Sequence, residues 1–100
     1  MISEKEKKNI ERFYKAILSL KDEKECALFF EDIATIRELL DLSSRLEVAK
    51  MLNEGKVFSE ISKETGVSSA TISRVNKCLN YGTSGYRLVI DKLKEKGEKL

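Results

Sequence analysis

The chain contains no histidine, no tryptophan and no proline, and only two cysteines. Without an imidazole it can build no Ser-His-Asp triad, no Cys-His pair, no histidine general base and no histidine-containing zinc site. Cys26 and Cys78 cannot complete a four-thiolate metal site, so no metal and no other cofactor is expected. Nor do two cysteines make the disulfide-dense scaffold of a small secreted protein. The expected setting is the reducing cytoplasm, with both thiols buried as small hydrophobes on apolar helix faces. No apolar run approaches the roughly 18 residues of a membrane span, and the opening MISEKEKKN is charged where a signal peptide would be apolar. There is no phosphate-cradling glycine loop. The turn Gly82-Thr83-Ser84-Gly85 has neither the wider glycine spacing nor the lysine of one, and it reads as a connector between helices.

What is present is 100 residues, 41% hydrophobic and 36% charged, the size and composition of one globular domain with a heavily charged exterior. The net charge of +2 carries by itself no argument for nucleic acid.

The apolar spacing is helical throughout. Ile10, Phe13, Tyr14, Ile17 and Leu18 form one face of a first helix running from Ser3 or Glu4 to Leu20. Asp22 followed by Glu25 reads as a capping box that opens a second helix, with Cys26, Phe29, Phe30 and Ile33 on its stripe. Thr35 and Glu38 form another box, opening a third helix with Ile36, Leu39, Leu40, Leu46, Ala49 and Leu52, which Gly55 ends. Tyr86, Val89, Ile90 and Leu93 mark a C-terminal helix, with Gly97 near its end. The class is all-α, with about six helices. Residues 1–100 are expected to form a single domain: 1–56 as dimerisation and core helices, 57–80 as a helix-turn-helix, 84–97 as the C-terminal helix.

The segment FSEISKETGVSSATISRVNKCLN, Phe58 to Asn80, is the most specific part of the chain. A helix-turn-helix needs two short helices joined by a tight turn, often holding glycine, and Gly66 fits that turn. Ile61 before it and Val67, Ile72 and Val75 after it are placed to lock the helices together. Ser62 is small where they approach. Ser68 or Ser69 can cap the second helix. The remaining face carries Ser69, Thr71, Ser73, Arg74 and Lys77, short hydroxyls and cations suited to base edges and phosphates, and Ala70 could meet a thymine methyl. From Thr65 to Ile90, 26 residues contain no Asp or Glu but do contain Arg74, Lys77 and Arg87, so all 17 acids lie elsewhere. A surface that approaches DNA cannot set carboxylates against phosphates. The competing reading is a plain helical hairpin with solvated serines.

Four stretches carry a resemblance: FFEDIATIRELL (Phe29 to Leu40), RLEVAKMLNEGK (Arg45 to Lys56), ISKETGVSSATISRVNKCLNYG (Ile61 to Gly82) and GYRLV (Gly85 to Val89). Together they resemble the tryptophan-repressor superfamily and, within it, the YerC/YecD branch. The resemblance implies an all-helical dimer whose N-terminal helices intertwine, each chain presenting one helix-turn-helix. It also places Thr35, Arg45 and Arg74 where the repressor contacts its tryptophan. Two positions depart from that pocket: Val75 stands where the repressor has glycine, and Cys78 where it has a serine bound to the ligand amine. Free tryptophan is therefore not the expected effector, and whether another small molecule serves is open. Arg74 is then a phosphate contact or a partner for Glu47 or another acid, and Arg45 has an equal reading as a helix-surface residue.

A single helix-turn-helix makes few contacts, and dimers read two half-sites. Phe13, Tyr14, Ile17, Phe29, Phe30, Ile33, Leu39 and Leu40 are the expected homodimer interface, with ordinary intrachain core as the competing reading. The function expected is a repressor that binds double-stranded DNA sequence-specifically as a homodimer, reading the major groove with helix 69–80. The expected contacts are Ser69, Ala70, Thr71 and Ser73 to bases, and Ser68, Arg74 and Lys77 to phosphates. The alternative is a helical adaptor that binds protein or RNA on the same scaffold. No enzyme activity and no membrane association are expected.

Overall fold

The computed structural model describes residues 1–98. Six α-helices account for their regular structure: α1 (Glu4–Leu18), α2 (Glu23–Ile33), α3 (Ile36–Asn53), α4 (Phe58–Thr65), α5 (Ser69–Tyr81) and α6 (Gly85–Glu95). Among the described residues there is no strand, as the all-α reading expects. The chain divides into two compact units, residues 1–39 and 40–100, which part inside α3.

In the first unit the helix starts are set by carboxylate caps. The Ser3 hydroxyl accepts from the Glu6 N–H at 3.1 Å while Glu6 accepts from the Ser3 N–H at 2.9 Å, so the charged N-terminal run begins as a closed capping box. Thr35 and Glu38 repeat the arrangement at the start of α3. At α2 the box is displaced by one residue: Asp22 accepts from the Glu25 N–H, but Glu25 reaches back to the N–H of Lys21. α1 ends at Leu18, short of Leu20, because Ser19 closes it with its backbone N–H and a hydroxyl hydrogen bond to the Ala16 carbonyl.

No residue of α1 or α2 is buried. Phe13, Phe29 and Phe30 line up as a row of rings, with centroids 6.1 and 5.6 Å apart, and each is only half-buried. Leu18, Leu28, Ile33 and Ile36 are more than half exposed. A unit of 39 residues without a buried side chain has amphipathic helices but no core of its own.

The core lies in the second unit. Val48, Ala49 and Met51 of α3, Ile61 of α4, Ile72 and Val75 of α5 and Ile90 of α6 form one buried cluster, with Leu52, Val67 and Tyr86 packed against it. The inward face of α3 is thus Val48-Ala49-Met51. The expected stripe of Leu39 and Leu40 is exposed, because α3 carries one apolar patch on its N-terminal half and a second, differently facing one on its C-terminal half. Gly55 (φ 88°) ends α3 with a bond from the Lys56 N–H to the Met51 carbonyl. Both cysteines correct the sequence reading: Cys26 and Cys78 are exposed, since each falls beside the apolar stripe of its helix rather than on its centre.

Candidate nucleic-acid interface

α4, a three-residue turn and α5 form the helix-turn-helix. Ile61 and Ile72 are fully buried and Val75 nearly so, with Val67 packed against them, which are the four positions the spacing assigns to the lock. Gly66 caps α4 in the left-handed region (φ 73°, ψ 4°). A Cβ there would meet nothing within 4 Å, so glycine is required by backbone conformation and not by crowding.

The turn is wired by two side chains whose roles spacing does not reveal. The Thr65 hydroxyl donates to the Ile61 carbonyl at 2.6 Å and accepts from the Val67 N–H at 3.1 Å. Ser62 donates to the Val67 carbonyl at 3.1 Å, so its place depends on a hydrogen bond as well as on its size. Both are short hydroxyls flanking a glycine, the composition of a side-chain-stapled turn.

Between Ser68 and Ser69, the cap is Ser68. Its oxygen accepts from the Thr71 N–H at 3.2 Å and its hydroxyl donates to the Thr71 Oγ1 at 3.1 Å. Thr71 is consequently half-buried and tied to the cap. Ser69, Ala70, Ser73, Arg74 and Lys77 are exposed on the side of α5 opposite Ile72, Val75 and Leu79. The helix, 13 residues and about 20 Å long, is slender enough for a major groove about 12 Å wide.

The electrostatics separate this helix from those before it. Helices α1 to α4 have a carboxylate in the first turn, whereas α5 has none. The positive end of its backbone dipole is capped by a neutral hydroxyl and left without a counter-charge. Arg74 makes no hydrogen bond or ion pair among the described residues, and Glu47 pairs with Lys50 at 3.5 Å instead. Of the two roles open for Arg74, a free guanidinium favours the one that faces outward.

Of the residues the resemblance links to a ligand, Thr35 lies in the first unit, where it borders a groove of about 480 Å³, and Arg45 and Arg74 are exposed in the second. Val75 fills the core. Cys78 opens onto an apolar groove of about 630 Å³ with Leu46, Gly82, Tyr86 and Val89. Of the expected interface residues, Tyr14, Ile33, Leu39 and Leu40 are exposed, and Phe13, Ile17, Phe29 and Phe30 half-buried.

Comparison with known proteins matches residues 8–94 to the family described as Trp repressor protein. The chain belongs to the Trp repressor family. It is 51% identical over 88 residues to the protein YerC of Bacillus subtilis, covering 88% of this chain and 85% of that one. A TrpR-like protein from Eubacterium eligens has a crystal structure that superposes with a TM-score of 0.84 at 53% identity, covering 87% of this chain and 90% of that one. A candidate Trp repressor from Staphylococcus aureus gives 0.83 at 40% identity over 86% of each chain. Membership in the Trp repressor family suggests a DNA-binding regulator rather than an enzyme. Among the described residues no helix is long and apolar enough to cross a membrane, and no group of three His, Cys, Asp or Glu is placed to hold a metal.

Proposed function

We propose that this protein is a cytoplasmic transcriptional repressor that binds double-stranded DNA sequence-specifically as a homodimer. The observation that carries the reading is the outer face of α5: exposed hydroxyls and two cations, no carboxylate, and an N-terminus left positive. Ser69, Ala70, Thr71 and Ser73 contact base edges, with Thr71 giving the smaller share because its hydroxyl is engaged by Ser68. Ser68, Arg74 and Lys77 contact phosphates.

Dimerisation is supported by the coreless first unit. Its half-exposed aromatic row and exposed leucines and isoleucines need a partner surface, and a second copy of the same surface supplies one. On this reading the whole chain works as one all-helical domain. Free tryptophan is not the effector, because Val75 is committed to the core where the family's repressor has glycine, and a thiol stands at Cys78 where it has a hydroxyl. Thr35, Arg45 and Arg74 remain the residues to test for any other ligand.

The decisive experiment is selection of bound duplexes from a random pool, followed by a salt titration of the winner. A dimer that neutralises about four to six phosphates gives a slope of log K against log salt near −4 to −5. A flat slope, or no enrichment of any duplex, sinks the proposal. A stable dimer that ignores DNA would instead favour an adaptor built on the exposed apolar first unit.

A further inference from the structure

α5 ends without a cation of its own: no basic residue lies in its last turn. The last carbonyls of a helix lack intrahelical partners and carry the negative end of its dipole. Here one side chain from the next helix meets that need. Arg87 of α6 donates from Nε to the Leu79 carbonyl at 3.1 Å and from Nη2 to the Asn80 Oδ1 at 3.1 Å. From Nη1 it donates to the Oδ1 of Asn53, the last residue of α3, at 3.0 Å. Asn80 carries the connection back along α5, donating from Nδ2 to the carbonyl and the Oδ1 of Asn76 at 3.0 and 2.9 Å. Asn76 and Asn80 continue the helical spacing of Ser69 and Ser73.

We propose that Arg87 is the positioning residue of the recognition helix. The buried lock of Ile61, Ile72 and Val75 holds the N-terminal part of α5. Arg87 holds its C-terminal end against the ends of α3 and α6, and so sets the tilt at which the outer face enters the groove. Although it lies exposed in the acid-free stretch, its guanidinium is engaged at all three nitrogens by Leu79, Asn53 and Asn80, and it is not a phosphate contact. This rests on the DNA-binding reading above and adds to it a residue that touches no DNA.

The test compares the full-length wild type with Arg87→Ala, Arg87→Lys and Asn80→Ala, each first shown to be folded by its thermal transition. Two readouts follow: amide hydrogen exchange over residues 79–82, and duplex affinity across a salt series. The expected result for Arg87→Ala is faster exchange in the last turn of α5 and specific affinity lower by about tenfold, the scale of removing charge-assisted hydrogen bonds. The salt slope and the affinity for random duplex stay at wild-type values. Lysine restores part of the affinity, and Asn80→Ala on top of Arg87→Ala adds less than it does alone. A slope smaller by about one per site would make Arg87 a phosphate contact and overturn the proposal. Unchanged exchange or unchanged specific affinity in the folded variant would overturn it equally. If wild type enriches no duplex, the DNA-binding reading fails, and with it any role for Arg87 in setting a tilt on DNA. Faster exchange in Arg87→Ala would then show only a helix clamp.

Discussion

Arg74 and Arg87 lie in the same acid-free stretch, yet the fold gives them opposite duties, one free on the outer face of α5 and one engaged by Leu79, Asn80 and Asn53. Replacing Arg74 with alanine should weaken duplex binding about five- to tenfold and reduce the salt slope by about one for each phosphate no longer neutralised. Fluorescence anisotropy across a salt series measures both. Backbone positions make equally local predictions. A Cβ at Gly82 would run into the Cys78 carbonyl of the preceding turn, so Gly82→Ala should lower stability by about 1–3 kcal/mol. Ser84 has a φ of 71°, in the left-handed region, directly before α6. Ser84→Gly should relieve that strain and raise stability by about 0.5–1 kcal/mol, less than the full strain because glycine also frees the unfolded chain. Urea midpoints distinguish the two signs.

At the scale of elements, the first unit's capping boxes respond to acid. The backbone N–H of Ser3, and then its side chain, hold the Glu6 carboxyl below its ordinary range, and Thr35 does the same for Glu38. A carboxyl depressed on folding contributes stability that is fully present above its unfolded value, near 4.5, and is lost as pH falls through the folded value. Helix content followed by circular dichroism should therefore fall below about pH 4.5. The fall should be shallower in a Glu6→Gln, Glu38→Gln double variant, which has no carboxyl to protonate at either box. The Thr35–Glu38 box was legible in the sequence from its spacing, whereas the Ser3–Glu6 box, of the same spacing, was not read, and at Asp22–Glu25 that spacing gave a box displaced to the N–H of Lys21. The helix-turn-helix was legible from spacing too: Ile61, Gly66, Val67, Ile72 and Val75 each have a fixed place relative to one tight turn. The Arg87 contacts were not, because Asn53 is distant along the chain and only packing brings it to α6. The exposure of Cys26 and Cys78 was missed because a residue at the edge of a helical stripe satisfies the same periodicity as one at its centre.

At the scale of the whole molecule, core and apolar surface are unevenly distributed. The second unit buries isoleucines and valines from α3 to α6, while the first leaves its apolar stripe open. The proposed homodimer would cover the open stripe. Sedimentation equilibrium should give twice the chain mass, and Ile33→Asp, which sets a charge on the open face of α2, should yield the monomer. Specific DNA affinity should then fall by more than 100-fold, since one half-site is read where two were before.

The neutral cap of α5 has a further consequence. Its hydroxyl neither gains nor loses charge with pH, and the stretch from Thr65 to Ile90 has no carboxylate or imidazole to do so in its place. The carboxylates that cap helix starts lie at α1, α2 and α3. Acidity and ionic strength thus become separate controls, protons loosening the half that would pair the subunits and salt loosening the half that would grip a duplex. Between pH 6 and 8 the affinity for a chosen duplex should be level, so whatever switches such a protein in a cell would have to arrive as a ligand, a partner or a change in its own concentration.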